Sequence, residues 1–315
     1  MLSAVLFLAT TLAQVPAAPA PQPNPHAALS APYVPERVFD TRRREFTDFE
    51  AMLADLARAD VALVGEQHDD PNTHRLEAAM LQGLLRRNVA LTVSLEMFER
   101  DTQAALDSYL AGSMAEEDFL KGSRPWPRYA TDYRPLVELA RAHRWPVLAA
   151  NVPRRLAQVV AKSGKDALGG LPETDRPFIA VDLQCPRDDY FTRFVESMGG
   201  HPTAGQDATA ADATNERYYW SQCLKDETMA ESIAASFRKQ EGRPGTIVHY
   251  NGAFHSDFGL GTAERVRRRL PGRRVVIASM LPVDDIDAVI PSDEDLERAD
   301  YLIYTVRLGE RRGQK

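Results

Sequence analysis

Hydrophobic and polar positions along this chain alternate between short apolar runs and longer segments with an apolar residue every three or four positions. The short runs are typical of buried strands, and they span residues 61–64, 89–95, 146–150, 247–250, 275–280 and 302–306. The longer segments are typical of amphipathic helices, and they span residues 46–59, 71–87, 101–110, 133–143 and 262–270. Strands that alternate with helices predict an α/β fold in which helices cover both faces of a mostly parallel sheet.

The middle of the chain departs from this alternation. Residues 199–215 are rich in Gly, Ala, Asp and Thr and predict a mobile loop. Residues 217–238 then follow the pattern of a long helix. We therefore predict a helical insertion over about residues 154–235, inside one domain that extends from residue 38 to residue 315.

The first residues have the features of an export signal. Residues 2–12 form an apolar stretch that is too short to span a bilayer, and small residues suited to cleavage follow it, although no Lys or Arg precedes it. We predict a signal peptide over residues 1–20, a Pro- and Ala-rich linker over residues 21–37, and a periplasmic or secreted protein. No later stretch is long and apolar enough to predict a transmembrane helix.

Composition narrows the class of protein further. The formal charge of −7 does not provide the basic surface that a nucleic-acid partner requires, so no such partner is expected. The two cysteines, Cys185 and Cys223, can pair in an oxidising compartment or remain separate thiols, and the sequence leaves both alternatives open.

Polar residues stand where four of the predicted strands end. Glu66 and His68 follow one strand within a Gly-x-x-His phrase, and His255 completes a second such phrase after another strand. Glu96 and Asn151 end two further apolar runs. Because the carboxyl ends of parallel strands meet at one edge of a sheet, we expect these side chains to line one pocket. Carboxylates beside imidazoles suit proton transfer or metal binding.

Structural interpretations compete with these functional ones. Glu66 could hold a turn, Glu96 could pair with an arginine, and Asn151 could cap a helix. His249 falls inside a predicted strand and is interpreted as a core residue, and we expect His74 to face solvent on its helix.

Tyrosines are candidate phenolate ligands for ferric haem, and ordinary core residues otherwise. The candidates are Tyr129, Tyr133, Tyr190, Tyr218, Tyr219 and Tyr250.

Five phrases, in order along residues 38–307, resemble the ChaN-like haem-binding family of the Tiki superfamily. They are Gly65-Glu66-Gln67-His68, Ser94-Leu95-Glu96-Met97-Phe98-Glu99, Tyr133-Arg134-Pro135-Leu136, Gln222 with Asp226-Glu227-Thr228-Met229-Ala230, and Gly252-Ala253-Phe254-His255. A single Gly-x-x-His phrase is common, whereas the ordered set is much more specific.

The resemblance implies a three-layer α/β/α fold with a small helical subdomain. By position, Glu66, His68, Glu96 and His255 correspond to the polar site that the superfamily shares, and Arg134 corresponds more weakly to an anion partner. The cysteine that anchors lipoprotein members is absent here, so the resemblance does not imply a lipid anchor.

The first hypothesis is an exported haem-binding protein associated with iron or haem uptake. The family holds haem through tyrosine at a dimer interface, so the resemblance implies haem as ligand and a homodimer as one oligomeric state. Tyr133, Arg134, Asn151 and Tyr250 are the candidate ligand-binding residues.

The second hypothesis is a metal-dependent hydrolase of the peptidase or esterase type, as the resemblance to other members of the superfamily implies. His68, His255 and Glu66 would then bind a divalent metal ion, with proton transfer as the alternative role of the two histidines, and Glu66 or Glu96 would act as general base. A third hypothesis is a non-catalytic binding scaffold. The sequence leaves open whether the protein is an enzyme, which tyrosine binds haem, and whether the pocket holds haem or metal.

Overall fold

An eight-stranded sheet forms the centre of the protein in the computed structural model, which describes residues 33–87, 90–198, 208–240 and 245–308. The strands are β1 (Glu36–Asp40), β2 (Glu45–Thr47), β3 (Val61–Glu66), β4 (Leu91–Glu99), β5 (Val147–Asn151), β6 (Thr246–Gly252), β7 (Val275–Val283) and β8 (Tyr301–Val306). Their order across the sheet is β2-β1-β8-β7-β3-β6-β4-β5. The six strands from β8 to β5 pair in parallel, and only β1 and β2 run antiparallel to their neighbours.

Helices cover both faces of this sheet, as the alternation of strands and helices predicts. The helices are α1 (Phe49–Leu56), α2 (Pro71–Leu85), α3 (Gln103–Leu110), α4 (Glu116–Ser123), α5 (Tyr129–Asp132), α6 (Arg134–His143), α7 (Arg154–Ser163), α8 (Asp189–Ser197), α9 (Ala208–Lys239), α10 (Gly261–Arg269) and α11 (Asp293–Arg298). The predicted three-layer α/β/α class with a mostly parallel sheet is therefore confirmed.

Strand β3 shows how the sequence places the two apolar layers. Ala62 and Val64 face the core beneath α1 to α6, whereas Val61 and Leu63 face the core beneath α9 and α10. Because both faces are covered, every residue of β3 is buried, which explains why a parallel strand has a continuous apolar run. Burial of one such side chain stabilises the fold by about 1.5–3 kcal/mol.

The N-terminal strands differ from the prediction. Residues 45–47 form β2 and not the start of a helix, because α1 begins after Asp48, whose side chain accepts a hydrogen bond from the Ala51 N–H at 2.6 Å. By contrast, the predicted start of α2 at Pro71 is confirmed, with Asp70 as its N-cap.

The described part of the chain between β5 and β6 contains the helices α7, α8 and α9 with irregular segments between them. Residues 208–215 belong to α9, so the predicted loop over 199–215 is wrong for that stretch, where four alanines favour helix. Residues 199–207 lie outside the described residues. The buried face of α9 packs on the sheet through Ala230, Ile233 and Ala234. Cys185 and Cys223 form a disulfide that ties the segment before α8 to α9.

For the part of the chain that the structure describes, no helix is both long and apolar enough to cross a membrane. The predicted signal peptide and most of the predicted linker fall within residues 1–32, which lie outside the described residues.

Candidate functional site

The carboxyl ends of β3, β6 and β4, which are neighbours in the sheet, open into a cleft of about 710 Å³. Glu66, His68, Glu96 and His255 all line this cleft, so the structure brings together the four residues that the sequence places at strand ends. The two Gly-x-x-His segments approach closely because Gly65 lacks a side chain: a Cβ there would lie 3.0 Å from the Cα of Ala253.

Glu66 and His68 form the first imidazole–carboxylate pair of the cleft. The ring Nδ1 of His68 donates to Oε1 of Glu66 at 2.5 Å, and the same oxygen accepts from the Tyr133 hydroxyl at 2.9 Å. Glu66 is buried, whereas the side chain of His68 is 42% exposed. Burial lowers the pKa of His68, but the hydrogen bond to Glu66 and the charge of Glu96 outweigh it and raise that pKa above its ordinary value.

The free edge of the His68 ring lies against β6. A Cβ added at Gly252 would lie 2.6 Å from Nε2 of His68, so only glycine allows this approach. Among the described residues, none forms a hydrogen bond with that Nε2 atom. His68 therefore presents a ring nitrogen without a protein partner at the cleft.

His255 forms the second imidazole–carboxylate group, with one carboxylate on each side. Its Nδ1 donates to Oδ1 of Asp226 at 2.7 Å, and its Nε2 lies 3.2 Å from Oε1 of Glu96. Burial disfavours the charged ring, but Glu96 and then Asp226 outweigh burial and raise the pKa of His255 to about 10. Burial likewise opposes ionisation of Glu96, and the charge of His255 overcomes it and holds the pKa of Glu96 well below its usual range. At neutral pH, His255 is an imidazolium between two carboxylates.

The remaining oxygens of these two carboxylates are also satisfied. The Gly252 N–H donates to Oε2 of Glu96 at 2.8 Å. The hydroxyls of Tyr190 and Thr262 each donate to Asp226 at 2.8 Å. This network holds His255 rigidly at the carboxyl end of β6.

The sequence patterns did not identify the roles of Asp226 and Tyr190 in this network. Asp226 lies in the middle of α9, where a polar residue normally faces solvent, yet it is completely buried. Its place in the phrase Asp226-Glu227-Thr228-Met229-Ala230 was the available signal. Tyr190 is predicted as a haem ligand or an ordinary core residue; it is buried, and its hydroxyl supports Asp226.

A third polar group, which we call the rear cluster, consists of Glu66, His74 and Glu77 and lies where α2 packs behind the end of β3. His74 is 4% exposed, so the expectation that it faces solvent is wrong. Its Nδ1 lies 3.0 Å from Oε2 of Glu77 and 3.6 Å from Oε2 of Glu66. Burial first, and then the charge of Glu66, raise the pKa of Glu77 well above its usual range.

The other predicted ligand-binding residues are dispersed. Tyr133 supports Glu66, as described above, and Tyr250 is buried with its hydroxyl donating to the Glu77 carbonyl at 3.3 Å. Arg134 forms a two-bond ion pair with Glu116 and does not line the cleft.

Asn151 and His249 keep structural partners. The Asn151 side chain accepts from the Val152 N–H at 2.8 Å and lines an adjoining cavity of about 380 Å³. His249 is buried beside Ser94, and burial lowers its pKa to about 4, so this ring is a neutral core residue. The core interpretation of His249 agrees with this placement.

The walls of the cleft are aromatic and its rim carries cations. Its aromatic residues are Trp126, Tyr190, Phe194, Phe254 and Phe258. Its cations are Arg193, Lys225 and Arg298. Arg193 pairs with Glu294 and Arg298 with Asp257, whereas Lys225 has no carboxylate partner among the described residues. The carboxylates Glu196, Asp257 and Glu294 also line the cleft, so its aromatic walls suit a flat apolar molecule and Lys225 is the cation left for a negative group on it.

Comparisons with known proteins agree with the fold and place the chain in a family. The family model described as "Haem-binding uptake, Tiki superfamily, ChaN" matches residues 52–266. Among curated protein sequences, none matches this chain.

A solved structure described as cofacial haem binding to ChaN of Campylobacter jejuni is similar to this chain, with a TM-score of 0.62 and 15% identity over 86% of this chain and 96% of that one. An erythromycin esterase variant in its open conformation superposes with a TM-score of 0.44 and 12% identity, over 87% of this chain and 83% of its own. A succinoglycan biosynthesis protein gives a TM-score of 0.45 and 10% identity, over 82% of this chain and 90% of its own.

Proposed function

The chain belongs to the haem-binding uptake family of the Tiki superfamily, ChaN, and from that premise we propose that it binds haem in the cleft at the ends of β3, β4 and β6. The observation that carries the proposal is the state of His68. Its Nδ1 is held by Glu66, and its Nε2 has no protein partner in an aromatic-walled cleft. A histidine held in this way is a suitable ligand for haem iron.

The alternative suggested by the family is a tyrosine ligand to the haem iron. The contacts of the tyrosines reduce the number of candidates. Tyr133 and Tyr190 donate their hydroxyl hydrogens to carboxylates, and burial followed by those negative charges raises the pKa of both phenols. Tyr250 is enclosed in the core. A phenolate ligand is therefore unfavourable at these three residues, whereas Tyr218 is 42% exposed on α9. We assign the iron ligand in the cleft to His68 and keep Tyr218 as the alternative at an intermolecular surface.

The charge of the rim supports the same ligand class. Haem carries two carboxylates, and a cation without a carboxylate partner gains more from binding one than a cation already paired. Lys225 is that cation among the rim residues, since Arg193 and Arg298 are engaged with Glu294 and Asp257. We therefore expect Lys225 to bind a haem propionate.

The test is a titration of the purified protein with hemin, followed by the Soret band. We expect saturable binding at micromolar haem, at least tenfold weaker binding by His68→Ala, and no change for His143→Ala, which removes an exposed imidazole from the end of α6. Unaltered binding by His68→Ala together with loss in Tyr218→Phe would move the ligand to the tyrosine. Absence of any saturable spectral change in the parent protein would refute haem binding.

We further propose that the protein is exported, that it serves iron or haem uptake, and that it can form a homodimer. The apolar residues 2–12 and the family support these points. The mass of the mature N-terminus from fractionated cells tests export, and light scattering with and without hemin tests dimerisation. A retained N-terminus in the cytoplasm would contradict export, and a monomer under both conditions would contradict the dimer.

A second candidate function, hydrolysis, is favoured by the group Asp226–His255–Glu96. Both ring nitrogens of His255 are directed at carboxylates, so this ring does not suit the metal-ligand role, and its raised pKa makes it a fixed positive charge that would stabilise an anionic transition state. His68 beside Glu66 would supply the acid–base pair. The test is a screen of esters and peptides, in which any activity must be lost in the His68→Ala/His255→Ala double variant.

A further inference from the structure

We propose that the rear cluster of Glu66, His74 and Glu77 binds a divalent transition-metal ion such as Zn²⁺. This position lies behind the cleft, so the ion would be separated from a haem or substrate by the carboxylate of Glu66. It differs from a metal site at His68 and His255, and it does not depend on haem binding.

The distances between the donor atoms fit such an ion. One oxygen of each glutamate and Nδ1 of His74 all lie within 4.8 Å of one another, with Nδ1 3.0 Å from Glu77 and 3.6 Å from Glu66. Zinc bonds to nitrogen and oxygen of about 2.0–2.2 Å in a tetrahedral arrangement place ligand atoms roughly 3.3–3.6 Å apart. The side chains are therefore already close to the spacing that a metal ion requires.

Two oxygens of the cluster are buried without a hydrogen-bond partner. Oε2 of Glu66 and Oε1 of Glu77 have no donor from another described residue and only a proton shared between the two carboxyl groups can bridge them, and the two residues are only 1% and 0% exposed. No described lysine or arginine pairs with either carboxylate. A buried polar atom without a partner is costly, and a dication would satisfy both oxygens and balance their charge.

The hydrogen bonds of His74 leave the correct nitrogen available. Its Nε2 lies 3.1 Å from the His68 carbonyl, which can only accept, so Nε2 carries the hydrogen. Oδ2 of Asp132 lies 3.5 Å from the same nitrogen. Metal-binding histidines typically donate their second N–H to a carbonyl or carboxylate in this way. The lone pair of Nδ1 can therefore point at the ion.

The support continues around Glu66. Its Oε1 accepts from Tyr133 and His68, which fixes the carboxylate with Oε2 turned towards His74. Outer contacts of this kind orient metal ligands and stabilise binding. One histidine and two carboxylates form a donor set suited to Zn²⁺, Mn²⁺ or Fe²⁺.

The experiment is a calorimetric titration of haem-free, EDTA-dialysed protein with Zn²⁺, with bound metal quantified by elemental analysis. We expect one ion per chain. Glu77→Gln, which keeps the shape of the side chain, should weaken binding by about 100-fold or more. Glu117→Gln, at an exposed position on α4, is the matched control and should bind like the parent.

Two further measurements separate this site from the alternatives. His143→Ala, which removes an exposed imidazole at the end of α6, should bind Zn²⁺ as the parent does. X-ray absorption at the zinc edge of the parent protein should show one imidazole with oxygen ligands, a readout that does not depend on whether any variant folds. Less than about 0.1 ion per chain, two imidazoles at the metal, or full affinity in a folded Glu77→Gln would overturn the proposal. None of these outcomes alters the hemin titration.

Discussion

The two imidazoles of the cleft, His68 and His255, occupy opposite situations although both complete a Gly-x-x-His phrase. His68 is half exposed, contacts one carboxylate, and keeps one ring nitrogen without a protein partner. His255 is buried, and both of its nitrogens are directed at carboxylates. The same motif therefore produces one ring that can take a ligand and one that acts as a fixed cation.

The difference originates in the layer that each ring contacts. His68 lies beside Glu66 and Trp126, on the open side of the cleft. His255 lies under α9, whose Asp226 adds the second carboxylate. A short motif positions an imidazole at a strand end, and the helix that packs over it determines the charge and the access of the ring.

Replacement of His255 should cause the largest loss of stability. In His255→Ala, Glu96 and Asp226 remain buried without their cation, and breaking such a buried pair costs about 3–5 kcal/mol. In His68→Ala, the half-exposed pair with Glu66 should cost about 1 kcal/mol or less. Urea unfolding of both variants measures the contrast. Equal losses of stability would contradict the contrast between a buried His255 cation and a half-exposed His68.

The cost of His255→Ala should also depend on pH. Because the pKa of His255 is raised to about 10 in the folded protein, its stabilising contribution is complete below its unfolded pKa of about 6.5 and is lost as the pH rises through 10. We expect the difference in unfolding free energy between parent and variant to be largest at pH 6 and to shrink by a few kcal/mol towards pH 10. A difference that grows with pH would show that His255 is not the cation of this network.

The contrast between the two rings also marks how far sequence reasoning reaches. The positions of Glu66 and His255 could be predicted because each follows an apolar run at or just past a strand end, whereas Glu96 lies inside β4, which continues beyond the predicted end to Glu99. The buried acids Asp226 and Glu77 could not be identified as site residues from the sequence, because both lie on helices where the pattern places polar residues towards solvent.

The same limit applies to the fold: elements set by their own residues could be predicted, and elements set by distant contacts could not. The parallel strands β3 and β6 follow from their own apolar residues. The three residues of β2 are too short for a periodic signal, and their strand conformation depends on pairing with β1. The start of α9 was predicted as a loop because the Asp, Thr and Asn residues among its alanines are typical of loops.

A methyl group at Gly252 sharpens the assignment of His68. In Gly252→Ala the new Cβ would lie 2.6 Å from Nε2, so the ring must move from its position at the cleft. We expect a stability loss of about 1–3 kcal/mol and hemin binding at least tenfold weaker. Gly169→Ala is the control, because a Cβ there meets no atom within 4 Å. Parent-like hemin affinity in a folded Gly252→Ala would argue that the His68 ring is not the ligand.

The smallest expected losses of stability come from removing the tyrosine hydroxyls that donate to Glu66 and Asp226. Tyr133→Phe removes one donor from Glu66, and Tyr190→Phe removes one donor from Asp226, while each carboxylate keeps its imidazole. Loss of one buried hydrogen bond should cost about 1–2 kcal/mol in each variant, or about 2–6 °C in melting temperature for a domain of this size. Hemin affinity should change less than threefold in Tyr133→Phe, because Nδ1 of His68 still donates to Glu66. A large loss of hemin binding in this variant would instead indicate that Tyr133, and not His68, is the ligand to the iron.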